Sequence, residues 1–91
     1  MNKKKPASTV KLKFGDAVLV HWVDIHNDEG GWKPTKDIVV KPAKIKTLGW
    51  WIGELEEHYI LCADLGDDLE TNTRMLLPVG CVLSIERVDC G

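Results

Sequence analysis

Hydrophobic and polar residues alternate along several short stretches of this chain, and the alternation predicts strands rather than helices. From Lys44 to Leu65, KIKTLGWWIGELEEHYILCADL, the pattern reads as two strands joined by a tight acidic turn. Ile45 and Thr47 alternate with Lys44 and Lys46, the period-two signature of a half-buried strand. Gly53 to Glu57 supplies polar turn residues, and beyond them Tyr59, Leu61, Ala63 and Leu65 alternate with Ile60, Cys62 and Asp64. A lone hairpin is marginal in water, so further strands must pack on it.

The remaining pattern supplies those strands. Phe14-Gly15-Asp16 is a turn that launches AVLVHWVDI, with Val18, Val20 and Trp22 on one face and Ala17, Leu19 and Val23 on the other. A strand apolar on both faces belongs inside a sandwich or a small closed barrel. From Asp24 to Lys36 periodicity is lost, with Gly30, Gly31 and Pro34 close together. A loop this long in a small domain is either functional or disordered. Thr35 is placed to cap a short helical turn through Val40, although the β-branched run Ile38-Val39-Val40 disfavours it and Lys41-Pro42 ends it. A second polar turn spans Gly66 to Asn72, a short strand Thr73 to Leu77, a break Pro78 to Cys81 and a last strand Val82 to Val88. The expected fold is all-β, a small SH3-like antiparallel barrel of about five strands with a long loop after the first. Residues 1–10, polar, lysine-rich and containing Pro6, are expected to form a flexible arm, and residues 11–91 a single β-barrel domain.

Length and composition narrow the class. Ninety-one residues allow one domain with a modest core, and 44% hydrophobic with 29% charged residues is ordinary for a soluble globular protein. No apolar run approaches the roughly 20 residues of a membrane span. The start MNKKKPASTV has lysines but no apolar stretch behind them, so it does not read as a secretory signal, and the expected location is the cytoplasm. Cys62, Cys81 and Cys90 are odd in number and form no CxxC pair, which predicts three reduced thiols, two of them packed and Cys90 loose at the end. The net charge of -2 hides an uneven distribution: residues 1–13 carry five lysines and no acid, whereas residues 53–91 hold nine acids against Arg74 and Arg87. A nucleic-acid-binding domain normally shows a clear basic excess.

Four tryptophans in 91 residues is a high count. Trp22 falls on a core face. Lys44 and Lys46 mark the solvent face of their strand, which puts Trp51 inside and Trp50 outside. Trp32 lies in the long loop between Gly31 and Lys33. Either loop and barrel cover each other, with Trp32 or Trp50 as a lid, or Trp32 and Trp50 form one recognition surface, since tryptophan joins large contact area to a polar handle. Lys33, Lys36, Lys41, Lys44 and Lys46 stand nearby, opposed within residues 33–46 only by Asp37. Lysines interleaved with aromatics suit single-stranded nucleic acid or a nucleotide, while lysine on a strand edge is also a common device against aggregation. The candidate binding residues are therefore Trp32, Trp50, Lys33, Lys36, Lys44 and Lys46. His21, His26, His58 and Cys62 form no paired ligand motif: His58 and Cys62 are about 13 Å apart in a strand. Asp67, Asp68 and Glu70 lack the spacing of a calcium loop. No nucleophile motif, phosphate-binding glycine loop or zinc-hydrolase helix is present, so neither catalysis, nor a metal, nor a cofactor is expected.

Val20-His21-Trp22-Val23-Asp24, Gly31-Trp32, Lys41-Pro42-Ala43, Gly49-Trp50, Tyr59-Ile60-Leu61 and Leu77-Pro78-Val79-Gly80-Cys81 followed by Ile85 resemble small cytosolic proteins encoded by phages and prophages. The resemblance runs from about Val10 to Val88. It implies a virus-encoded accessory protein in the cytoplasm of an infected bacterium, and it offers no catalytic residues. The expected function is a non-catalytic module that binds a host or phage protein. The alternative is a binder of nucleic acid or nucleotide, including sequestration of a small signalling nucleotide. No membrane partner is expected, and the patterns leave self-association open.

Overall fold

The computed structural model describes residues 11–24, 31–38 and 42–89. They form five antiparallel strands: β1 (Ala17–Asp24), β2 (Ala43–Leu55), β3 (His58–Leu65), β4 (Thr71–Pro78) and β5 (Val82–Arg87). The strands lie in one sheet in the order β4-β3-β2-β1-β5. The all-β expectation is met, but closure into a barrel is not: among the described residues no ladder joins β4 to β5. No helix of the described residues is long and apolar enough to cross a membrane.

β2 organises the sheet. Its residues Ala43 to Trp50 pair with β1, and Trp50 to Leu55 pair with β3, so the two ladders overlap at Trp50, which lies between Ala17 and Cys62. The register shifts between Trp51 and Gly53, where one extra residue makes a bulge. Gly53 sits at φ 155°, a conformation open to glycine and closed to most side chains, which is why the bulge falls there. Bulges bend the strand that carries them. The sheet accordingly wraps one core to which every strand contributes: Val18, Val20, Trp51, Tyr59, Leu61, Leu77 and Ile85, with Val79 from the β4–β5 connection. Leu12, Trp22 and Val82 pack against that cluster. The Trp51 and Tyr59 rings lie 5.5 Å apart at 50°, a tilted aromatic pair. Trp22 is only half-buried, and its Nε1 donates to Thr47 Oγ1 at 2.9 Å.

The connections are tied to strands by backbone bonds. Gly15 N donates to Trp51 O at 2.8 Å and Trp51 N donates to Asp16 O at 2.7 Å, which pins the turn before β1 onto β2. A single 3-10 turn, Val79–Cys81, links β4 to β5, and Val79 N donates to Glu57 O at 2.9 Å.

Several boundaries differ from the sequence-based expectation. The turn expected over Gly53–Glu57 contracts to Glu56 and Glu57, because Gly53 serves the bulge and Glu54 and Leu55 continue the ladder opposite Tyr59 and His58. β4 starts at Thr71 instead of Thr73, since Leu65 and Asp64 extend the pairing to Thr71 and Asn72. The short helical turn is Thr35–Asp37, preceded by Pro34 with no side-chain cap, so Thr35 is not the cap. Cys62 is buried and Cys81 half-buried, both as free thiols. The N-terminal arm, residues 25–30 of the long loop with His26, the stretch 39–41 with Lys41, and Cys90 lie outside the described residues.

Candidate functional site

The alternation of β2 decides what faces solvent. Ile45, Thr47, Gly49 and Trp51 turn toward the core, while Lys44, Lys46, Leu48 and Trp50 form a row on the outer face. Trp51 is 5% exposed and Trp50 half-buried, as the flanking lysines predicted. On the same face β1 sets Val23 beside Lys44, His21 beside Lys46, Leu19 beside Leu48 and Ala17 beside Trp50. The row thus passes from cationic to apolar along one strand.

At its apolar end lies an open groove of about 290 Å³, lined by Ala17, Val18, Leu48, Gly49, Trp50, Ala63 and Val88. Leu48 is 69% exposed beside it. The Val88 side of the groove is fixed by Val88 N donating to Ala17 O at 2.7 Å. Gly49 lets β3 come close: a Cβ there would stand 3.1 Å from Cys62 O.

Beside Trp50 on this face is Cys62, in register with Trp50 on one side and Arg74 on the other. Burial pushes its thiol above the usual 9.0; the Asp64 carboxylate adds to the rise and the Arg74 guanidinium opposes it. A thiol held protonated in this way is a packed side chain and a poor nucleophile. Arg74 is held locally, with Nη1 donating to Thr71 O at 3.0 Å and to Thr71 Oγ1 at 3.1 Å.

Of the sequence-predicted site residues, the structure brings Lys44, Lys46 and Trp50 into one row. Lys33 and Lys36 lie in the exposed segment 31–38 with Trp32. Trp32 is fully exposed, at 107%, and no residue of that segment lines the groove. A side chain so exposed covers nothing, so Trp32 is not a lid. Leu48 was missed by the sequence reasoning. Its signal was present: a leucine on the face that Lys44 and Lys46 mark as outward is an exposed apolar residue. Among the described residues no group of three or more His, Cys, Asp or Glu side chains is placed to hold a metal ion. Comparison of the chain with protein families, with curated proteins and with solved structures finds no match.

Proposed function

We propose that this chain is a non-catalytic interaction module that binds a partner protein through the outer face of β1 and β2. The observation that carries the proposal is the apolar groove with Leu48 exposed at its side and Trp50 in its wall. Leaving a leucine in water forgoes about 1.5–3 kcal/mol of burial, which a partner recovers. Tryptophan in a half-buried wall is the residue type that dominates interface energetics. The phage-type accessory role in a bacterial cytoplasm, implied by the sequence resemblance, belongs to this proposal. So does the finer architecture, an SH3-like arrangement left open: the strand order, the division of β2 between two half-sheets and the 3-10 turn before β5 support it.

The test places a photo-crosslinking residue at Leu48 in the native host. One adduct of defined mass, lost when Trp50→Ala is added to a chain that still melts cooperatively, is the expected result. No adduct above background overturns the proposal. A second reading, nucleic-acid binding, draws on Lys44 and Lys46 standing in line with Trp50. A gel shift with single-stranded oligonucleotide that weakens steeply with salt is its signature.

A further inference from the structure

The β3-side edge of β2 narrows the kind of partner. β1 pairs with Ala43 to Trp50 on one edge of β2, whereas β3 pairs only from Trp50 onward on the other. Among the described residues no strand pairs with the β3-side edge of Ala43 to Gly49. An open strand edge presents backbone N–H and C=O groups that a further strand satisfies. This edge is not neutral. Lys44 and Lys46 rise from it on the outer face, both exposed, and Leu48 follows beside the groove. The side chains facing them from β1 are Val23 and His21, and Ser84 of β5 lies beyond His21, so no carboxylate meets either lysine in register. Asp24 pairs with Ala43 on the opposite face, and the exposed Asp64 of β3 lies two residues beyond Cys62, the partner of Trp50.

We propose that this edge of β2 takes an extended acidic segment of a partner protein as an added strand, with one apolar side chain seated in the groove and two carboxylates set against Lys44 and Lys46. The inference rests on the protein-binding reading above and specifies its partner. Side chains on one face of a strand recur about every 6.7 Å, and directly opposed residues of an added strand stand about 4.5–5.5 Å apart. Lys44, Lys46 and Leu48 therefore dictate a spacing: an apolar residue, with acids two and four positions from it. Antiparallel addition gives apolar-x-acid-x-acid along the partner, and parallel addition gives the reverse. Lysines on an edge oppose the addition of basic strands; for an acidic strand the same charges select. A backbone edge that carries no strand among the described residues matches a peptide chain, whereas a phosphodiester backbone has no donors to return to its carbonyls. The peptide is favoured over nucleic acid on that ground.

The experiment selects binders of the whole chain from a yeast-displayed library of random twelve-residue peptides, then measures the strongest as synthetic peptides by fluorescence anisotropy. The expected motif is an aliphatic or aromatic residue with Asp or Glu at the second and fourth positions on one side of it. K44E/K46E, checked to melt like the parent, is expected to weaken binding at least tenfold, and N-methylation of alternate peptide amides to abolish it. A selected motif without acids, bound equally by K44E/K46E but lost in Leu48→Asp, overturns this inference and leaves the protein-binding reading standing. No selected binder together with no crosslink from Leu48 removes both. Competition of the peptide by an oligodeoxythymidine of twelve nucleotides assigns the lysine row to nucleic acid and overturns the acidic strand.

Discussion

At the scale of single residues two small residues, Gly49 and Cys62, set how closely β2 and β3 approach. Gly49 is there for space: a Cβ would meet Cys62 O at 3.1 Å and Leu61 Cβ at 3.4 Å. Both neighbours are in a core strand and give way only with the sheet. Gly49→Ala is therefore expected to destabilise the chain by about 1–3 kcal/mol in urea unfolding, the usual cost of overpacking. An unchanged midpoint would show that β2 and β3 separate at no cost. Cys62 makes a prediction about pH. Its folded-state pKa lies above 9.0 through burial and Asp64, less the effect of Arg74, so ionisation is disfavoured in the folded chain. A group with a raised folded pKa contributes its stability fully below the unfolded value and loses it as pH rises toward the folded one. Cys62→Ala is expected to cost stability at pH 7, and the gap to the parent to narrow as pH rises above 9.0; a gap that stays constant to pH 10.5 contradicts the assignment.

Elements were more legible in the sequence than their ends. The face of β2 was readable because lysines and a β-branched pair fix the phase of alternation, and the phase correctly set Trp50 out and Trp51 in. The β2–β3 turn was not readable, because Gly53 has the chemistry of a turn and is used for a bulge, while Glu56 and Glu57 lack that chemistry and form the turn. Their φ values of 49° and 60° are those of a two-residue turn with both central residues left-handed, a conformation that prefers Asn-Gly. Each such residue other than glycine costs about 1–2 kcal/mol. The bonds made at this turn use backbone oxygens: Glu56 O lies 2.7 Å from His58 Nδ1 and Glu57 O accepts from Val79 N. Replacing the side chains keeps both. Glu56→Asn with Glu57→Gly is expected to raise stability by about 0.5–2 kcal/mol, read as a higher denaturant midpoint at unchanged slope. A lower midpoint would assign the glutamate side chains a structural role. The site was legible only in part for a related reason. Alternation showed which residues leave the core, but which edge of β2 stays unpaired depends on where β3 departs, and that is set by long-range register.

For the whole molecule the question is whether two half-sheets sharing one strand behave as one unit. β5, β1 and the first part of β2 form one half, and the second part of β2 with β3 and β4 forms the other. Trp50 is where they meet, and the bonds of Gly15 and Asp16 to Trp51 carry the first half one residue past it. The core argues for unity: Val18, Val20 and Ile85 from the first half share a cluster with Tyr59, Leu61 and Leu77 from the second. Unfolding either half exposes the buried side chains of the other, at about 25 cal/mol for each Å² of apolar surface. A single cooperative transition follows. Leu61, 1% exposed, is the side chain on which to test it. Leu61→Ala is expected to cost about 2–5 kcal/mol. In a Cys81→Ser, Cys90→Ser background, thiol labelling of Cys62 reports on the second half, and far-ultraviolet circular dichroism reports on the whole sheet. The two curves are expected to coincide in urea, both before and after the Leu61→Ala change, and to shift together. Labelling of Cys62 that runs ahead of the circular dichroism in the variant would show the β2–β3–β4 half opening alone, and the shared core would then not be what binds the two halves.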